Sequence, residues 1–214
     1  MAGIILAGGK GERLGGSQKA LQQVAGKPLI QWVQECLQPL FSQLILVTNA
    51  PELYPYFPGL VVTDIHPHRG PLGGIEAGLE ATTDEVNFVV GCDMPFLNRD
   101  IINYMHSFTG QYDLVIPRLG SYIEPLHAFY HKRTLTVIKA QLNVGIYKLS
   151  ALLKAPLQVY YLNEALIKTF DPELCSFFNI NTPTDLIRAE GILRKEAGIN
   201  GFNHYTQYMQ EQEG

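Results

Sequence analysis

The fold is indicated by the segment Gly3-Ile4-Ile5-Leu6-Ala7-Gly8-Gly9-Lys10-Gly11-Glu12-Arg13-Leu14-Gly15-Gly16-Ser17-Gln18-Lys19. Its first five residues, Gly3–Ala7, are apolar and partly β-branched, which predicts a buried strand. Five glycines follow within the next nine residues. Because glycine accepts positive φ, such a loop lets successive backbone N–H groups converge on an anion, and Arg13 and Lys19 add positive charge. The segment therefore predicts a strand that ends in a phosphate-binding loop.

The glycine-rich loop matches neither of two widespread nucleotide-binding motifs. A Gly-x-x-x-x-Gly-Lys-[Ser/Thr] run is absent, and the segment Gly9–Leu14 lacks the third glycine of a dinucleotide fingerprint. These two absences count against an ATPase and against a dehydrogenase. A surface loop with solvated charges is the alternative interpretation that the loop alone leaves open.

The rest of the chain alternates short β-branched runs with longer amphipathic stretches. This pattern is typical of βαβ units and predicts an α/β fold with a mostly parallel central sheet and helices on both faces. Strands are predicted at Gly3–Ala7, Gln43–Thr48, Leu60–Thr63, Val86–Gly91, Asp113–Ile116, Leu126–Tyr130, Gln158–Leu162 and Phe177–Ile180. Helices are predicted from Pro28, after Asn98, over Leu72–Ala81 and from Thr182-Pro183. In such a sheet ligands bind beyond the carboxyl ends of the strands, where the glycine-rich loop lies.

A second candidate feature is the stretch Val89-Val90-Gly91-Cys92-Asp93-Met94-Pro95, which places a carboxylate directly after an apolar strand. Mg²⁺ takes one or two protein carboxylates and completes its octahedron with water and phosphate oxygens. Asp93 is therefore predicted to anchor a magnesium ion that faces a nucleotide. The alternative is that Asp93 caps the following turn, and Asp64 after the third strand carries the same two interpretations.

Composition limits the class of protein. With 46% hydrophobic and 17% charged residues, the 214-residue chain can bury a large core, and we expect one domain over residues 1–200 and a polar tail over 201–214. The formal charge is −4 and basic residues do not cluster, which argues against nucleic acid as a partner. Apolar runs end well short of about 18 residues, so no membrane span is expected. Three widely spaced cysteines without a Cys-x-x-Cys pair favour a reducing cytoplasm.

Five motifs in order resemble those of the molybdenum cofactor guanylyltransferases. These motifs are Leu6–Lys19, Gly26–Leu29, Gly70–Ile75, Cys92–Leu97 and Asn179–Pro183, and the resemblance extends from Ile4 to Leu186. It implies a Rossmann-like nucleotidyltransferase fold and the transfer of GMP from GTP to molybdenum-molybdopterin, with release of pyrophosphate and with Mg²⁺ as cofactor. Molybdoenzymes or their chaperones are the protein partners that it implies.

The resemblance also implies roles for individual residues. The nucleotide-binding residues that it implies are Leu6, Ala7, Gly8, Gly9, Lys19, Asn49, Asp64 and Asp93. Among them, Lys19 would hold the phosphates, and Asp93 would hold both the nucleotide and Mg²⁺. Arg13 joins these two as the third candidate catalytic residue. Asn49 and Asp64 resemble contacts to the guanine or the ribose.

Two asparagines near the end of the chain belong to the same set of motifs. Asn179 and Asn181 fall where related enzymes hold the acceptor or help the metal. The chain departs from the family at Gly11, where Ser is frequent, and at Gln18, where Asp is frequent. Gly11 keeps the backbone donors of the loop, and neither departure touches the predicted chemistry directly.

Three alternative functions remain at this point. The chain could be a molybdopterin cytidylyltransferase, a sugar-phosphate nucleotidyltransferase of the same fold, or a nucleotide-binding domain that has lost turnover. The run Leu6-Ala7-Gly8-Gly9 favours the guanylyl enzyme, because cytidylyl relatives more often show Ala-Ala-Gly there. Retention of both Lys19 and Asp93 argues against loss of turnover.

Overall fold

The computed structural model describes residues 1–8, 18–66 and 69–196. Gly9 and Arg13, two of the predicted site residues, lie outside the described residues, and so does the predicted tail 201–214. The expectation of one domain over residues 1–200 therefore stays a prediction. Within the described residues, no helix combines the length and the apolar composition that crossing a bilayer requires.

The described chain alternates strands and helices along most of its length. The strands are β1 (Ala2–Leu6), β2 (Gln23–Val24), β3 (Lys27–Pro28), β4 (Gln43–Val47), β5 (Leu60–Val62), β6 (Val86–Gly91), β7 (Leu114–Leu119), β8 (Tyr122–Ile123), β9 (His127–His131) and β10 (Val159–Asn163). The helices are α1 (Leu29–Leu37), α2 (Gly70–Ala81), α3 (Arg99–His106), α4 (Thr134–Asn143), α5 (Leu149–Leu152), α6 (Glu164–Ile167) and α7 (Pro183–Glu196). Short 3-10 turns occupy Lys19–Leu21, Pro51–Leu53 and Cys175–Phe177.

The central sheet has the order β10-β7-β9-β6-β1-β4-β5, and β8 pairs with β7. Strand β1 lies between β4 and β6 and is parallel to both, so that Leu6 is level with Val47 and Gly91. Because these strands run the same way, their carboxyl ends meet at one edge of the sheet. Backbone bonds extend the pairing past the strands: the N–H of Cys92 donates to the carbonyl oxygen of Leu6 at 3.1 Å.

Helices cover both faces of the sheet, as predicted. Side chains alternate along β1, so Ile5 packs with α1 and α3 on one face, while Ile4 packs with α2 and α4 on the other. The glycines of α2 allow it to approach the sheet closely. A Cβ at Gly78 would lie only 2.4 Å from Cγ2 of Ile4. The predicted helix over Leu72–Ala81 is confirmed and begins two residues earlier, at Gly70.

The sheet is mostly parallel, as predicted, but β9 runs antiparallel to both of its neighbours, β6 and β7. Its direction follows from a tight turn. Gly120 and Ser121 alone join β7 to β8, and Gly120 has a φ of +59°, the left-handed conformation that a two-residue hairpin turn needs. Strands β8 and β9 run in the same direction, both antiparallel to β7, and Glu124–Leu126 form an irregular turn between them. The chain therefore places a second turn, with Glu124, beside the end of β6.

One predicted strand is wrong. The apolar run Phe177–Ile180 forms no strand: the 3-10 turn Cys175–Phe177 opens it, and the following residues are irregular. Its apolar side chains are buried in another way. Ile180 is fully buried in a small cluster with Val24 and Leu29, away from the main sheet. The apolar pattern of Phe177–Ile180 correctly predicted that the segment is buried, but it did not predict which elements the segment packs against.

His127 on β9 is a fully buried histidine in an aromatic environment. Its ring centroid lies 4.7 Å from that of Phe177 and 5.2 Å from that of Phe88. Neither ring nitrogen has a hydrogen-bond partner among the described residues. Burial lowers the pKa of His127 to about 3.

We predict that His127 makes the folded protein less stable in acid. An unfolded histidine binds a proton below pH of about 6.5, whereas the buried ring stays neutral. The neutral ring therefore contributes its full stabilisation above that pH. As pH falls, the free energy of unfolding decreases by up to about 1.4 kcal/mol per pH unit. Urea unfolding of the wild type and of His127→Leu between pH 4.5 and 7.5 measures this slope. An equal slope in both proteins would contradict the prediction, and the exposed His106→Asn provides a control.

Candidate active site

The predicted catalytic residues Lys19 and Asp93 are in direct contact at the carboxyl edge of the sheet. The Nζ of Lys19 lies 2.5 Å from Oδ2 of Asp93 and donates a second hydrogen bond, of 2.6 Å, to Oδ1 of Asn181. The Lys19 and Asp93 side chains are only 15% and 20% exposed. Because partial burial reduces screening by water, the charges interact more strongly than a surface pair would. The cluster joins three distant parts of the chain.

Asp93 follows β6 and is held by bonds on both sides. Its carbonyl oxygen accepts the N–H of Ile180 at 3.0 Å, which ties the Asp93 loop to the Asn179–Asn181 segment. The preceding Cys92 is buried, and burial, followed by the charge of Asp93, raises the pKa of its thiol to about 12. This thiol therefore stays protonated and does not act as a nucleophile at neutral pH.

Asn181 is positioned by the start of α7. One oxygen of Asp185, Oδ2, accepts the backbone N–H groups of Asn181 at 3.0 Å and of Thr182 at 2.9 Å. In return, the N–H of Asp185 donates to the hydroxyl of Thr182 at 3.2 Å, which forms a reciprocal cap of the helix. Partial burial opposes the effect, but the hydrogen bonds from Asn181 and Thr182 lower the pKa of Asp185. The carboxylate thus remains charged and fixes the segment beside Lys19.

A second polar group lies where β4 and β5 end. The Nδ2 of Asn49 donates to Oδ2 of Asp64 at 3.1 Å, and the N–H of Asp64 donates to Oδ1 of Asn49 at 3.3 Å. A Cβ at Gly74 would lie 3.3 Å from Cδ2 of Leu6 and 3.5 Å from Oδ1 of Asp64. The structure therefore brings Leu6, Asn49 and Asp64 to the same edge, next to buried Ala7 and exposed Gly8.

Glu124 belongs to this edge, although the sequence analysis did not select it. The carboxylate is 3% exposed and accepts hydrogen bonds from the Tyr122 hydroxyl at 2.7 Å and the Leu126 N–H at 3.0 Å. It also accepts a longer bond, of 3.5 Å, from Nδ2 of Asn179. Burial raises the pKa of Glu124, and the nearby charge of Asp93 adds to the effect. The sequence feature that could have identified Glu124 is its position as an acidic residue before Pro125, between the apolar residues Ile123 and Leu126.

The oxygens of Asp93 and Asn181 are suited to a hard divalent cation. Both already approach one positive group, the Lys19 ammonium, at 2.5 and 2.6 Å. No group of three or more His, Cys, Asp or Glu side chains in the described part of the chain is arranged to hold a metal. A cation here would thus depend on few protein ligands and on oxygens of a bound molecule, as Mg²⁺ commonly does in nucleotide sites.

Known proteins with similar sequences identify the family of this chain. Residues 3–159 match the family model of the MobA-like NTP transferase domain. The chain is 34% identical to the molybdenum cofactor guanylyltransferase of Desulfosudis oleivorans, over 91% of this chain and 96% of that protein. It is 38% identical to the protein of the same name from Syntrophotalea carbinolica, over 85% and 87%.

Solved structures extend the comparison. The molybdopterin-guanine dinucleotide biosynthesis protein A of Archaeoglobus fulgidus superposes with a TM-score of 0.80 at 33% identity, covering 91% of this chain and all of the other. The 2-C-methyl-D-erythritol 4-phosphate cytidylyltransferase of Thermus thermophilus has a TM-score of 0.68 at 14% identity, over 89% and 98% of the chains, and shares the fold alone. The chain therefore belongs to the molybdenum cofactor guanylyltransferase family, a group of nucleotidyltransferases with a Rossmann-like fold.

Proposed function

We propose that this protein transfers GMP from GTP to molybdenum-molybdopterin, which forms the guanine dinucleotide cofactor and releases pyrophosphate. The observation that carries the proposal is the convergence of Lys19, Asp93 and Asn181 at the carboxyl ends of β1 and β6. Family membership supports it, since the relatives in the comparison are named as guanylyltransferases.

The proposed reaction is an in-line displacement. An oxygen of the terminal phosphate of the acceptor attacks the α-phosphorus of GTP, and a new P–O bond forms. The bond from the α-phosphorus to the oxygen that bridges to the β-phosphate breaks, and pyrophosphate leaves with the electron pair. Because the attacking phosphate is already ionised at neutral pH, the protein need not remove a proton. Its contribution is positioning and neutralisation of charge.

We propose that Lys19 and Asp93 divide the neutralisation between them. The Lys19 ammonium would bind the triphosphate, together with Arg13 and the backbone N–H groups of Gly8 and Gly9. Asp93 would hold Mg²⁺, with Asn181 as a further oxygen donor. When bound, the ion supplies positive charge against the triphosphate oxygens. The two oxygens that now share the Lys19 ammonium support this assignment, since they already face one cation.

The nucleoside and the acceptor are proposed to occupy opposite sides of Asp93. Leu6 and Ala7 would line the nucleotide side, and the paired side chains of Asn49 and Asp64 would contact the guanine or the ribose. The acceptor would lie on the side of Asn179 and Asn181. We also propose that the enzyme acts in the cytoplasm as a single domain and delivers its product to molybdoenzymes or their chaperones.

The competing functions are less well supported. The similarity to a cytidylyltransferase is limited to the fold, at 14% identity, whereas the guanylyltransferases share 34% and 38% of their residues with this chain. The contact between Lys19 and Asp93 likewise argues against a nucleotide-binding domain without turnover, because both charged groups and their geometry are present.

An assay of pyrophosphate release tests the proposed function. With Mg²⁺ and molybdenum-molybdopterin, the wild type is expected to release pyrophosphate from GTP and not from CTP. Asp93→Asn keeps the size of the side chain but removes its charge, so kcat should fall by roughly 10²–10³-fold, as for loss of one electrostatic stabiliser. Release from CTP alone, or wild-type turnover by Asp93→Asn, would contradict the proposal. Asp100→Asn, on the exposed first turn of α3, is the matched control.

Gly91 provides a second test, because it leaves room for the Asp93 carboxylate. A Cβ at Gly91 would lie 2.4 Å from Oδ1 of Asp93, and no backbone atom is among its close contacts. Alanine should therefore turn the carboxylate away and change the fold little. We expect Gly91→Ala to lower kcat about tenfold or more, because the Asp93 carboxylate would no longer be in position to stabilise the transition state. The free energy of unfolding should change by less than about 1 kcal/mol, which is within the usual range for a substitution that displaces one side chain.

The control for this substitution is Gly110→Ala, where a Cβ would meet no atom within 4 Å. Steady-state kinetics and urea unfolding of the two variants give both quantities. If Gly91→Ala retained kcat within twofold of the wild type, the position of the Asp93 carboxylate would not matter for turnover.

A further inference from the structure

We propose that Glu124 is a positioning residue that orients the side-chain amide of Asn179, so that Asn179 presents its carbonyl oxygen to the acceptor substrate. The inference rests on the proposed function, in which the acceptor lies beside Asn179 and Asn181. It adds a specificity-determining residue that the sequence motifs do not contain.

Glu124 is itself held firmly. Its Oε1 accepts the backbone N–H of Leu126 at 3.0 Å, and its Oε2 accepts the hydroxyl of Tyr122 at 2.7 Å. The N–H of Glu124 donates to the carbonyl oxygen of Pro117 at 3.1 Å, which fixes the turn on β7. A carboxylate with both oxygens engaged and 3% exposure has little freedom to rotate. It can therefore act as a fixed reference for a neighbouring side chain.

The chemistry of a carboxylate decides which way the Asn179 amide faces. An ionised carboxylate accepts hydrogen bonds and has no hydrogen to donate, so Asn179 must turn its NH₂ group toward Glu124. The observed contact, from Nδ2 to Oε2 at 3.5 Å, has this polarity. The Oδ1 of Asn179 is thereby directed away from Glu124. Asn179 thus becomes a hydrogen-bond acceptor for a molecule bound at the site.

Asn181 is oriented in the opposite sense. Its Oδ1 accepts the Lys19 ammonium, which leaves its NH₂ group as the donor. Ile180 between the two asparagines is fully buried, and its N–H is bonded to the Asp93 carbonyl oxygen. The segment therefore presents one acceptor and one donor two residues apart. A pterin ring has a matching edge, because it carries ring N–H and amino donors beside a carbonyl acceptor.

Replacement of Glu124 by glutamine should reverse the orientation of Asn179. The Leu126 N–H can only donate, whereas the Tyr122 hydroxyl can also accept, so the glutamine oxygen takes the place of Oε1 and its NH₂ group takes the place of Oε2. That NH₂ group then faces Asn179, which must turn its carbonyl oxygen inward to accept. The acceptor substrate would meet a donor in place of an acceptor.

The experiment compares Glu124→Gln, Asn179→Asp and the double variant by pyrophosphate release, with GTP and molybdenum-molybdopterin varied in turn. We expect Glu124→Gln to raise KM for the acceptor about tenfold, the factor that corresponds to loss of one hydrogen bond, with KM for GTP within twofold. Asn179→Asp alone should also raise KM, because two carboxylates would face each other. In the double variant, the aspartate accepts from the glutamine and again presents an oxygen, so KM should return to within about threefold of the wild type.

Unchanged acceptor KM in Glu124→Gln, an equal rise in both KM values, or a double variant no better than Asn179→Asp would each overturn the proposal. If Glu124→Gln did not fold, Asn179→Asp alone would still decide it, because an acceptor KM within twofold of the wild type in that variant would overturn the proposal. The exposed Glu173→Gln is the control, and Tm is measured for every variant. Absence of pyrophosphate release by the wild type would refute the proposed function instead, which separates the two failures.

Discussion

The contact of one ammonium group with two oxygens is the interaction on which the site depends. Lys19 is 74 residues from Asp93 and 162 residues from Asn181, yet its Nζ bonds to both side chains. The parallel register of β1 and β6 brings the first two parts of the chain to one edge of the sheet. The N–H of Ile180 and the capped start of α7 bring the third. The fold thus places these charged side chains together at the edge of the sheet where we propose that the phosphates bind.

This arrangement suits a reaction that requires placement of charged groups more than transfer of protons. The adjacent thiol of Cys92 stays protonated, and the carboxylates of Glu124 and Asp185 are occupied by hydrogen bonds. The site is therefore left to act through the charges of its side chains. A nucleotidyl transfer with an ionised phosphate nucleophile asks for little else. The glycine at position 91 fits the same account, since it gives the Asp93 carboxylate space beside the strand.

Local signals made much of this predictable. The apolar run before the glycine-rich loop, the run before Asp93 and the cap at Thr182 each lie within a few residues of the feature they determine, and the structure has β1, β6 and α7 there. Contacts between distant segments were harder to predict from the sequence. The strand predicted at Phe177–Ile180 is wrong because the segment is buried without pairing in the sheet: Phe177 packs in the main core beside His127, and Ile180 packs against β2 and α1. Glu124 was missed because the side chain of Asn179, 55 residues away, contacts it only in the folded chain.

The most direct test of the account is a crystal structure of the protein with Mn²⁺ and a non-hydrolysable GTP analogue. Anomalous scattering would locate the ion, which we expect on the carboxylate of Asp93, with the triphosphate beside β1 and the Lys19 ammonium on a phosphate oxygen. The contrary result would be an ion and a nucleotide bound away from this edge, with the ammonium of Lys19 still held between Asp93 and Asn181.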